Sequence, residues 1–332
     1  MYPGIHATTR ADQPAVIMAT SGQVLTYREY EECSNRLAHL LRAEGLRRGD
    51  HFAIFMENHL LYLPICAAGE RTGLYYTPTN HHLTADELSY ILENSQSQIV
   101  VTTAAHLDVV RAAMPAAPNV RLCLVVGGKG PFDNVGAARV LPFDEALAAF
   151  PGTPVADESA GFQMLYSSGT TGRPKGILRP LPEGSPAGSG SEFLMSIWLY
   201  REGQIYLCPA PIYHSAPQAA TGLTIRKGGT VVVMEKFDPE HFLQLIEKYR
   251  VTHIQMVPTM FSRLLKLPDE VRNRYDHSTL EMVVHAAAPC PVPVKERMLE
   301  WWGPIIREYY SATEGLGLTL CDANEWLAHK GT

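Results

Sequence analysis

The segment YSSGTTGRPKG, residues 166–176, concentrates chemical groups that bind phosphate. Its three glycines allow backbone N–H groups to turn toward an anion. Its hydroxyl side chains and the ammonium of Lys175 add further donors and a positive charge. The segment is not a Walker A loop, because Arg173 and Pro174 occupy the positions of that motif's second glycine and lysine. We therefore predict a phosphate-binding loop of another kind.

A second segment with potentially functional side chains, EYYSATEG, spans residues 308–315. The ring of Tyr310 is suited to stacking, and the hydroxyl of Thr313 and the carboxylate of Glu314 follow it closely. Carboxylates together with phosphate oxygens are the ligands that Mg²⁺ usually takes in nucleotide sites. A single tyrosine or glutamate is weak evidence, but their order downstream of the phosphate-binding segment predicts a nucleotide site.

Together and in this order, the two segments resemble the signature motifs of the acyl-adenylate-forming superfamily, which contains acyl-CoA ligases, luciferases and peptide-synthetase adenylation domains. The resemblance covers essentially the whole chain. It implies that the first segment holds the β- and γ-phosphates of ATP. Ser167 stands where the family often has threonine, and the hydroxyl is kept. The residues implied in this phosphate cradle are Ser167, Ser168, Gly169, Thr170, Thr171, Gly172 and Lys175.

In the second segment, the resemblance implies that Tyr310 stacks on adenine and that Thr313 contacts phosphate. It also implies that Glu314 binds Mg²⁺ together with Thr170. Ser311 and Ala312 lie between these positions and are implied in nucleotide binding as well.

Two further stretches resemble family motifs. LEMVVHAAAP, residues 280–289, ends where members usually show GGAP, and two alanines replace the two glycines. This end is implied to form a wall for the adenylate at Ala287, Ala288 and Pro289, and for the acyl group at Ala286. Exchanging Ala286 or Ala287 for glycine is expected to broaden chain-length tolerance.

APIYHSAP, residues 210–217, resembles the family's aromatic-histidine motif. Tyr213, His214 and Ser215 are therefore implied in acyl binding, with His214 gating the access of the acid to ATP. Met260 lies in an apolar stretch and is a further candidate for the acyl pocket, although an ordinary core role is an equal alternative.

The resemblance implies an acyl-CoA ligase. A hydrophobic carboxylic acid, fatty acids first among them, attacks the α-phosphorus of ATP, pyrophosphate leaves, and the acyl-AMP passes its acyl group to coenzyme A. The implied catalytic residues are Lys175, His214 and Glu314, and the implied co-substrates and cofactor are ATP, coenzyme A and Mg²⁺. Two alternatives stay open: a fatty acyl-AMP ligase or carrier-loading adenylation domain, and a nucleotide-binding module without turnover.

Family members continue with a ribose-binding aspartate, a hinge and a small C-terminal domain that carries a lysine. We locate none of these in the 332 residues. The chain is therefore expected to be the N-terminal portion of a ligase, without the small domain, and weakly active or inactive alone.

Composition and charge argue against several other classes of protein. The net charge is −6, and no dense basic block with interleaved aromatic residues is present, so nucleic-acid binding is not expected. The N-terminus lacks an apolar signal core, which predicts a cytoplasmic protein that is not integral to a membrane. Six cysteines without a CxxC pair predict reduced, buried thiols, and the histidines lack metal-ligand spacing. Small molecules are the expected partners, and a homodimer is left open.

Strand-like and helix-like segments alternate along the chain, which predicts layered α/β subdomains with mixed, mostly parallel sheets. A stretch rich in glycine, proline and alanine suggests a boundary near residue 155, with subdomains at 1–155 and 156–332. Capping boxes predict helix starts at Thr26 and Thr84. Further predicted helices cover about 60–71, 239–249, 259–266 and 294–302, and predicted strands include 51–57, 98–103, 121–126, 230–235, 252–258, 280–288 and 305–310.

Overall fold

The computed structural model describes residues 1–167, 173–188, 192–315 and 317–331, and it confirms an α/β protein with layered, mostly parallel sheets. The strands are β1 Pro14–Met18, β2 Val24–Thr26, β3 His51–Phe55, β4 Tyr75–Thr79, β5 Ile99–Thr103, β6 Leu122–Val126, β7 Arg139–Pro142, β8 Phe162–Gln163, β9 Leu165–Ser167, β10 Lys175–Ile177, β11 Ile205–Cys208, β12 Thr230–Val233, β13 His253–Met256, β14 Met282–His285, β15 Ile306–Ser311 and β16 Leu318–Cys321. The α-helices are α1 His6–Thr9, α2 Tyr27–Ala43, α3 Tyr62–Arg71, α4 Ala85–Asn94, α5 Leu107–Ala113, α6 Phe143–Leu147, α7 Glu192–Ile197, α8 Ser215–Arg226, α9 Pro239–Tyr249, α10 Pro258–Leu264, α11 Asp269–Arg272, α12 Val292–Trp302 and α13 Ala323–Ala328.

The chain divides into two compact units that are not contiguous in sequence. The first unit comprises Met1–Gln13, Thr26–Gly190 and Ile212–Ser215. The second comprises Pro14–Leu25, Ser191–Pro211 and Ala216–Thr332. The boundary near residue 155 that composition suggests falls inside the first unit.

The first unit is built on a six-stranded sheet with the order β7-β6-β5-β3-β4-β8, in which every neighbouring pair is parallel. Strands β4, β5 and β6 are buried along their whole length. This is the expected state of a parallel sheet covered on both faces, and it explains why β6 is a continuous apolar run.

Two helices of the first unit begin where the sequence predicts. The side chain of Thr26 accepts a hydrogen bond from the backbone N–H of Glu29, and the Glu29 side chain accepts one from the backbone N–H of Thr26. Thr84 and Glu87 form the same reciprocal pair at the start of α4. Each capping box satisfies backbone donors that the helix itself leaves unpaired, so both starts are fixed locally.

The second unit is built on an eight-stranded sheet with the order β16-β15-β14-β13-β11-β12-β1-β2. The pairs from β15 through to β1 are parallel, and β16 joins the edge antiparallel to β15. Strand β1 comes from the N-terminal part of the chain and pairs with β12, with Val16 opposite Val231. The N-terminal part of the chain therefore contributes β1 and the edge strand β2 to a sheet whose other strands lie far along the chain.

The core of the second unit lies between this sheet and helices α9, α10 and α12, where buried Phe242, Phe261 and Trp302 pack together. Helix α9 has the predicted bounds, because Asp238 caps its first turn and Pro239 follows at the first helical position.

All six cysteines are free in the structure. Cys66, Cys123 and Cys208 are buried, whereas Cys33, Cys290 and Cys321 are only partly so. Burial raises the pKa of the Cys208 thiol to about 12, so this group is protonated and unreactive. No helix in the described ranges has the length and apolar character needed to cross a membrane.

Candidate functional site

The predicted phosphate-binding segment joins the two strands of a β-hairpin in the first unit. Strands β9 and β10 are antiparallel, and Ser167 is the Cα partner of Lys175. The residues between them, Ser168, Gly169, Thr170, Thr171 and Gly172, lie outside the described residues, so their predicted roles stay predictions. The hairpin brings the hydroxyl-bearing residue at one end of the loop opposite the cation at the other end.

Side chains of α4 hold both arms of this hairpin. The hydroxyl of Tyr166 donates to Oδ1 of Asn94 over 2.7 Å. The hydroxyl of Tyr90, one turn earlier in α4, donates to the backbone carbonyl of Pro174 over 3.2 Å. The guanidinium of Arg173 lies 5.2 Å from the centre of the Tyr90 ring, within cation–π range. One rigid helix therefore fixes the entry and the exit of the loop.

Lys175 begins β10, and its side chain is exposed. An exposed ammonium at the end of a glycine-rich turn can meet an anion without first being desolvated. This placement suits the role in phosphate binding that the sequence predicts for it.

The aromatic-histidine motif also lies in the first unit. The backbone N–H of Ile212 donates to Oδ1 of buried Asn58 over 2.9 Å, which anchors the segment that follows. The rings of Tyr213 and His214 are 4.4 Å apart, so these two predicted acyl-binding residues are brought together. His214 keeps an exposed surface, although its surroundings desolvate the ring enough to lower its pKa.

A cluster of histidines borders Tyr213, and the sequence analysis did not predict it. The His81 ring lies 5.7 Å from Tyr213, 4.0 Å from His82 and 5.2 Å from His106. Nε2 of His106 is 3.1 Å from Oε2 of Glu57. Burial, with the neighbouring imidazoles His82 and His106, lowers the pKa of His81 to about 4 and keeps this ring neutral at pH 7.

The sequence did contain a signal for this cluster. Glu57, His81 and His106 each follow the carboxyl end of a parallel strand, namely β3, β4 and β5. These strands are neighbours in the order β5-β3-β4, and ligand sites of open α/β sheets lie outside the carboxyl ends of such strands. The sequence does not reveal the order of the strands in the sheet, and without that order these three residues cannot be recognised as neighbours.

In the second unit, the segment that follows β14 carries the predicted adenylate wall. Ala286 is buried, whereas Ala287, Ala288 and Pro289 are exposed. Ala287 has a φ of +76°, in the left-handed region that L-residues other than glycine rarely adopt. The backbone here keeps the conformation that a glycine would favour, which agrees with the family's preference for glycine at this place.

Strand β15 places the neighbouring residues Tyr309 and Tyr310 on opposite faces of the sheet, as strand geometry requires. The hydroxyl of Tyr309 accepts a hydrogen bond from Nε2 of Gln255 over 2.8 Å, and its ring contacts that of Trp198. The Tyr310 side chain is 79% exposed. A tyrosine this exposed is available for stacking, unlike its neighbour.

The predicted nucleotide-binding residues after Tyr310 form the turn between β15 and β16. The hydroxyl of Ser311 donates to the carbonyl of Gly317 over 2.7 Å, and the N–H of Gly315 donates to the carbonyl of Ala312 over 2.9 Å. Thr313 is half-buried, and Glu314 is exposed. The parallel strands β14 and β15 end at the same edge of the sheet, so this turn and the wall segment of residues 286–289 are neighbours.

The predicted acyl-pocket residue Met260 lies in the core of the second unit, packed with the residues of α9 and α12. Its side chain is 8% exposed. A core role therefore explains its apolar character without a ligand.

Glu314 fits a magnesium ion that is bound chiefly by a nucleotide. In the described part of the chain, no three histidine, cysteine or acidic side chains are grouped so that they could hold a metal. Mg²⁺ in nucleotide sites is commonly bound by one or two carboxylates together with phosphate oxygens and water, and the exposed carboxylate of Glu314 suits such a site.

The family model of AMP-binding enzymes matches residues 5–332, which is nearly the whole chain. The chain belongs to the AMP-binding enzyme family. This membership confirms the resemblance that the two signature segments indicated, and it covers both units.

Several curated proteins are similar to this chain over most of its length. A feruloyl-CoA synthase of Amycolatopsis is 30% identical over 314 residues, which cover 94% of this chain and 59% of that enzyme. A 3-oxocholest-4-en-26-oate–CoA ligase of Rhodococcus rhodochrous is 28% identical, with 91% of this chain and 59% of that enzyme covered. The chain thus spans less than two thirds of the length of these relatives.

Solved structures of other proteins have the same fold. The N-terminal domain of FACL13 from Mycobacterium tuberculosis superposes with a TM-score of 0.82 at 23% identity, covering 98% of this chain and 79% of that chain. Apo MatB from Rhodopseudomonas palustris gives a TM-score of 0.75 at 26% identity, covering 97% of this chain and 62% of that chain.

Proposed function

We propose that this chain is the nucleotide- and acyl-binding part of an acyl-CoA ligase. In the proposed reaction a hydrophobic carboxylic acid and ATP give acyl-AMP and pyrophosphate, and the acyl group then passes to coenzyme A. The observation that carries the proposal is the β9–β10 hairpin, in which Ser167 faces Lys175 across a glycine- and hydroxyl-rich turn. Family membership and the CoA-ligase names of the relatives support it.

In this proposal the residues of the first unit act on the phosphates and on the acid. Lys175 neutralises the β- and γ-phosphates and stabilises the departing pyrophosphate. Tyr213 and His214 border the acid and control its approach. A neutral His214 suits this task, because a charged imidazole would hold the carboxylate of the acid in place.

The residues of the second unit act on the nucleoside. Tyr310 offers its exposed ring to adenine, and Ala287, Ala288 and Pro289 form the opposite wall. Glu314 and, as the family resemblance implies, Thr170 would hold Mg²⁺, which would supply charge neutralisation for the phosphates. ATP, coenzyme A and a small acid are therefore the proposed partners, and the reaction needs no nucleic acid.

The proposed acid is hydrophobic. The relatives described above are named for feruloyl-CoA and for 3-oxocholest-4-en-26-oate, both of which have large apolar frames. Fatty, aromatic and sterol-side-chain acids are accordingly the first candidates. The histidines beside Tyr213 add hydrogen-bonding groups near the proposed acyl site.

Calorimetric titration tests the proposal on the chain itself. We expect ATP with Mg²⁺ and AMP to bind at a single site. Lys175→Ala should weaken the binding of ATP far more than that of AMP, because AMP lacks the phosphates that Lys175 contacts. The absence of binding of both nucleotides would refute the proposal.

A second measurement addresses the acid and the acceptor. Acid-dependent exchange of labelled pyrophosphate into ATP, run over a panel of fatty, aromatic and sterol acids, ranks the substrates. Transfer to coenzyme A compared with transfer to a phosphopantetheine carrier protein identifies the acceptor thiol. Transfer to the carrier protein alone would replace the CoA ligase by a carrier-loading enzyme.

A further inference from the structure

A charged cluster lies inside the second unit, beneath the two segments proposed to bind the nucleoside. The side chain of Lys295, on α12, is fully buried. Its Nζ lies 2.5 Å from Oε2 of Glu308 on β15, and 4.8 Å from the centre of the Trp326 ring. Nε2 of His285, the last residue of β14, is 3.6 Å from the same carboxylate oxygen.

The charges in this cluster come from one ion pair, Lys295 and Glu308, because the third member is neutral. Burial and the neighbouring Lys295 lower the pKa of His285 to about 4, so its imidazole is neutral at pH 7. Neither ring nitrogen of His285 has a hydrogen-bond partner among the described residues. Glu308 is thus the counter-charge of Lys295, and a buried lysine without one would be very costly.

The position of this pair in the sheet is informative. The ladder between β14 and β15 ends at the pair His285 and Glu308. Beyond that point the two strands no longer pair with each other, and the proposed adenylate wall and Tyr310 follow directly. Lys295 lies on the helix that begins just after the wall, and Glu308 lies two residues before Tyr310 on the same face of β15.

The ion pair therefore joins α12, the helix that follows the wall segment, to β15 at the last residue that β15 pairs with β14. A buried ion pair is weak evidence for stability, since apolar residues of similar volume often stabilise a core equally well. A role in geometry accounts better for a fully buried lysine at this place.

Resting on the proposed function, we infer that Lys295 is a positioning residue for nucleotide binding. Through Glu308 it sets the distance between the wall segment 286–289 and the Tyr310 segment, and so the width of the gap that takes the nucleoside. Lys295 itself touches no ligand in this account.

The test compares AMP affinity by calorimetry with the midpoint of thermal unfolding, Tm. Lys295→Met should lower Tm by several degrees, because it leaves the Glu308 carboxylate without its counter-charge. The double variant Lys295→Met/Glu308→Gln removes both charges at similar volume, so its Tm should return close to that of the wild type. Its AMP affinity should nevertheless stay roughly ten-fold or more below wild type, as expected for a displaced binding group.

The first unit offers a matched control. Arg71 is fully buried and makes a two-pronged pair with Glu31, at 3.0 and 2.6 Å, with a longer contact of 3.7 Å to Glu158. The double variant Arg71→Met/Glu31→Gln should change Tm while leaving AMP affinity unchanged. A drop in AMP affinity as large as that of the Lys295 double variant would overturn the inference, since general loosening would then explain both.

The remaining outcomes separate the inference from the proposed function. A Lys295→Met/Glu308→Gln variant that binds AMP as tightly as wild type would overturn the positioning role and leave the proposed function intact. A wild-type chain that binds no AMP would overturn the proposed function, and the positioning role with it.

Discussion

Ser167 and Lys175 face each other as antiparallel partners at the mouth of the glycine-rich loop. The backbones of these two residues are thus fixed at the ends of a segment whose arms are held by Tyr90 and Asn94 of α4. The geometry makes Lys175 the most informative single residue to change.

Lys175→Ala should weaken ATP binding by roughly ten-fold or more, because charge-assisted hydrogen bonds contribute about 1.5–3 kcal/mol each. The free energy of unfolding should change little, since the side chain is exposed. Titration calorimetry and thermal unfolding measure the two effects. Lys236→Ala, at another exposed lysine, is the control and should leave ATP affinity unchanged. Equal ATP affinity in wild type and Lys175→Ala would contradict the assignment.

The neighbouring tyrosines of β15 offer a matched pair of substitutions. Tyr310→Ala should weaken AMP binding by roughly ten-fold, because stacking of an aromatic side chain on a base contributes about 1–3 kcal/mol. It should hardly affect stability, since the side chain is 79% exposed. Tyr309→Phe should do the opposite: loss of the hydrogen bond from Gln255 costs about 1 kcal/mol of stability and leaves AMP affinity unchanged. A reversed pattern would place adenine on the other face of the strand.

Ala287→Gly should stabilise the protein. The φ of +76° strains an alanine by about 1–2 kcal/mol, and glycine removes this strain. The greater conformational entropy of glycine in the unfolded chain offsets about 0.5–1 kcal/mol of that gain. Ala288→Gly is the control. The backbone there is not left-handed, so this substitution should only destabilise the protein, through the greater entropy of the unfolded chain. Urea unfolding measures both. The strain argument fails if Ala287→Gly proves no more stable than Ala288→Gly.

His285 should make the stability of the second unit sensitive to acid. Burial, with Lys295 nearby, lowers its pKa from 6.5 to about 4, so the unfolded chain binds this proton more readily than the folded one. The stabilising contribution is complete above about pH 6.5, is lost as the pH falls toward 4, and amounts to about 3 kcal/mol. Urea unfolding between pH 7 and pH 4 should therefore show a shallower loss for His285→Gln than for wild type. His241→Gln is the control, and an unchanged slope for His285→Gln would contradict this role.

Local signals predicted much of the fold. The starts of α2 and α4 follow from the capping boxes at Thr26 and Thr84, and α9 has the predicted bounds. A third capping box, between Asp322 and Glu325 at the start of α13, has the same local signature and was not predicted. Helix starts can be predicted from the sequence because the two residues of a capping box are only three positions apart.

Features that depend on residues far apart in the chain could not be predicted from the sequence. Strand β1 forms because Val16 pairs with Val231, which lies far along the chain. The cluster of Glu57, His81 and His106 depends on the strand order β5-β3-β4. Likewise, nothing in the sequence marks Lys295 as buried, because its burial is created by Glu308 and Trp326. The signature segments were recognisable, whereas the residues that position them were not.

The central claim is that the Tyr310 segment of the second unit binds the adenine of a nucleotide. Photolabelling with 8-azido-ATP, followed by peptide mapping, tests it most directly, because the label reacts at the adenine. We predict that the label is found on the peptide that contains residues 306–315, that excess AMP prevents the labelling, and that Tyr310→Ala reduces it. Labelling of that peptide that is indifferent to excess AMP, or labelling confined to other peptides, would contradict the account.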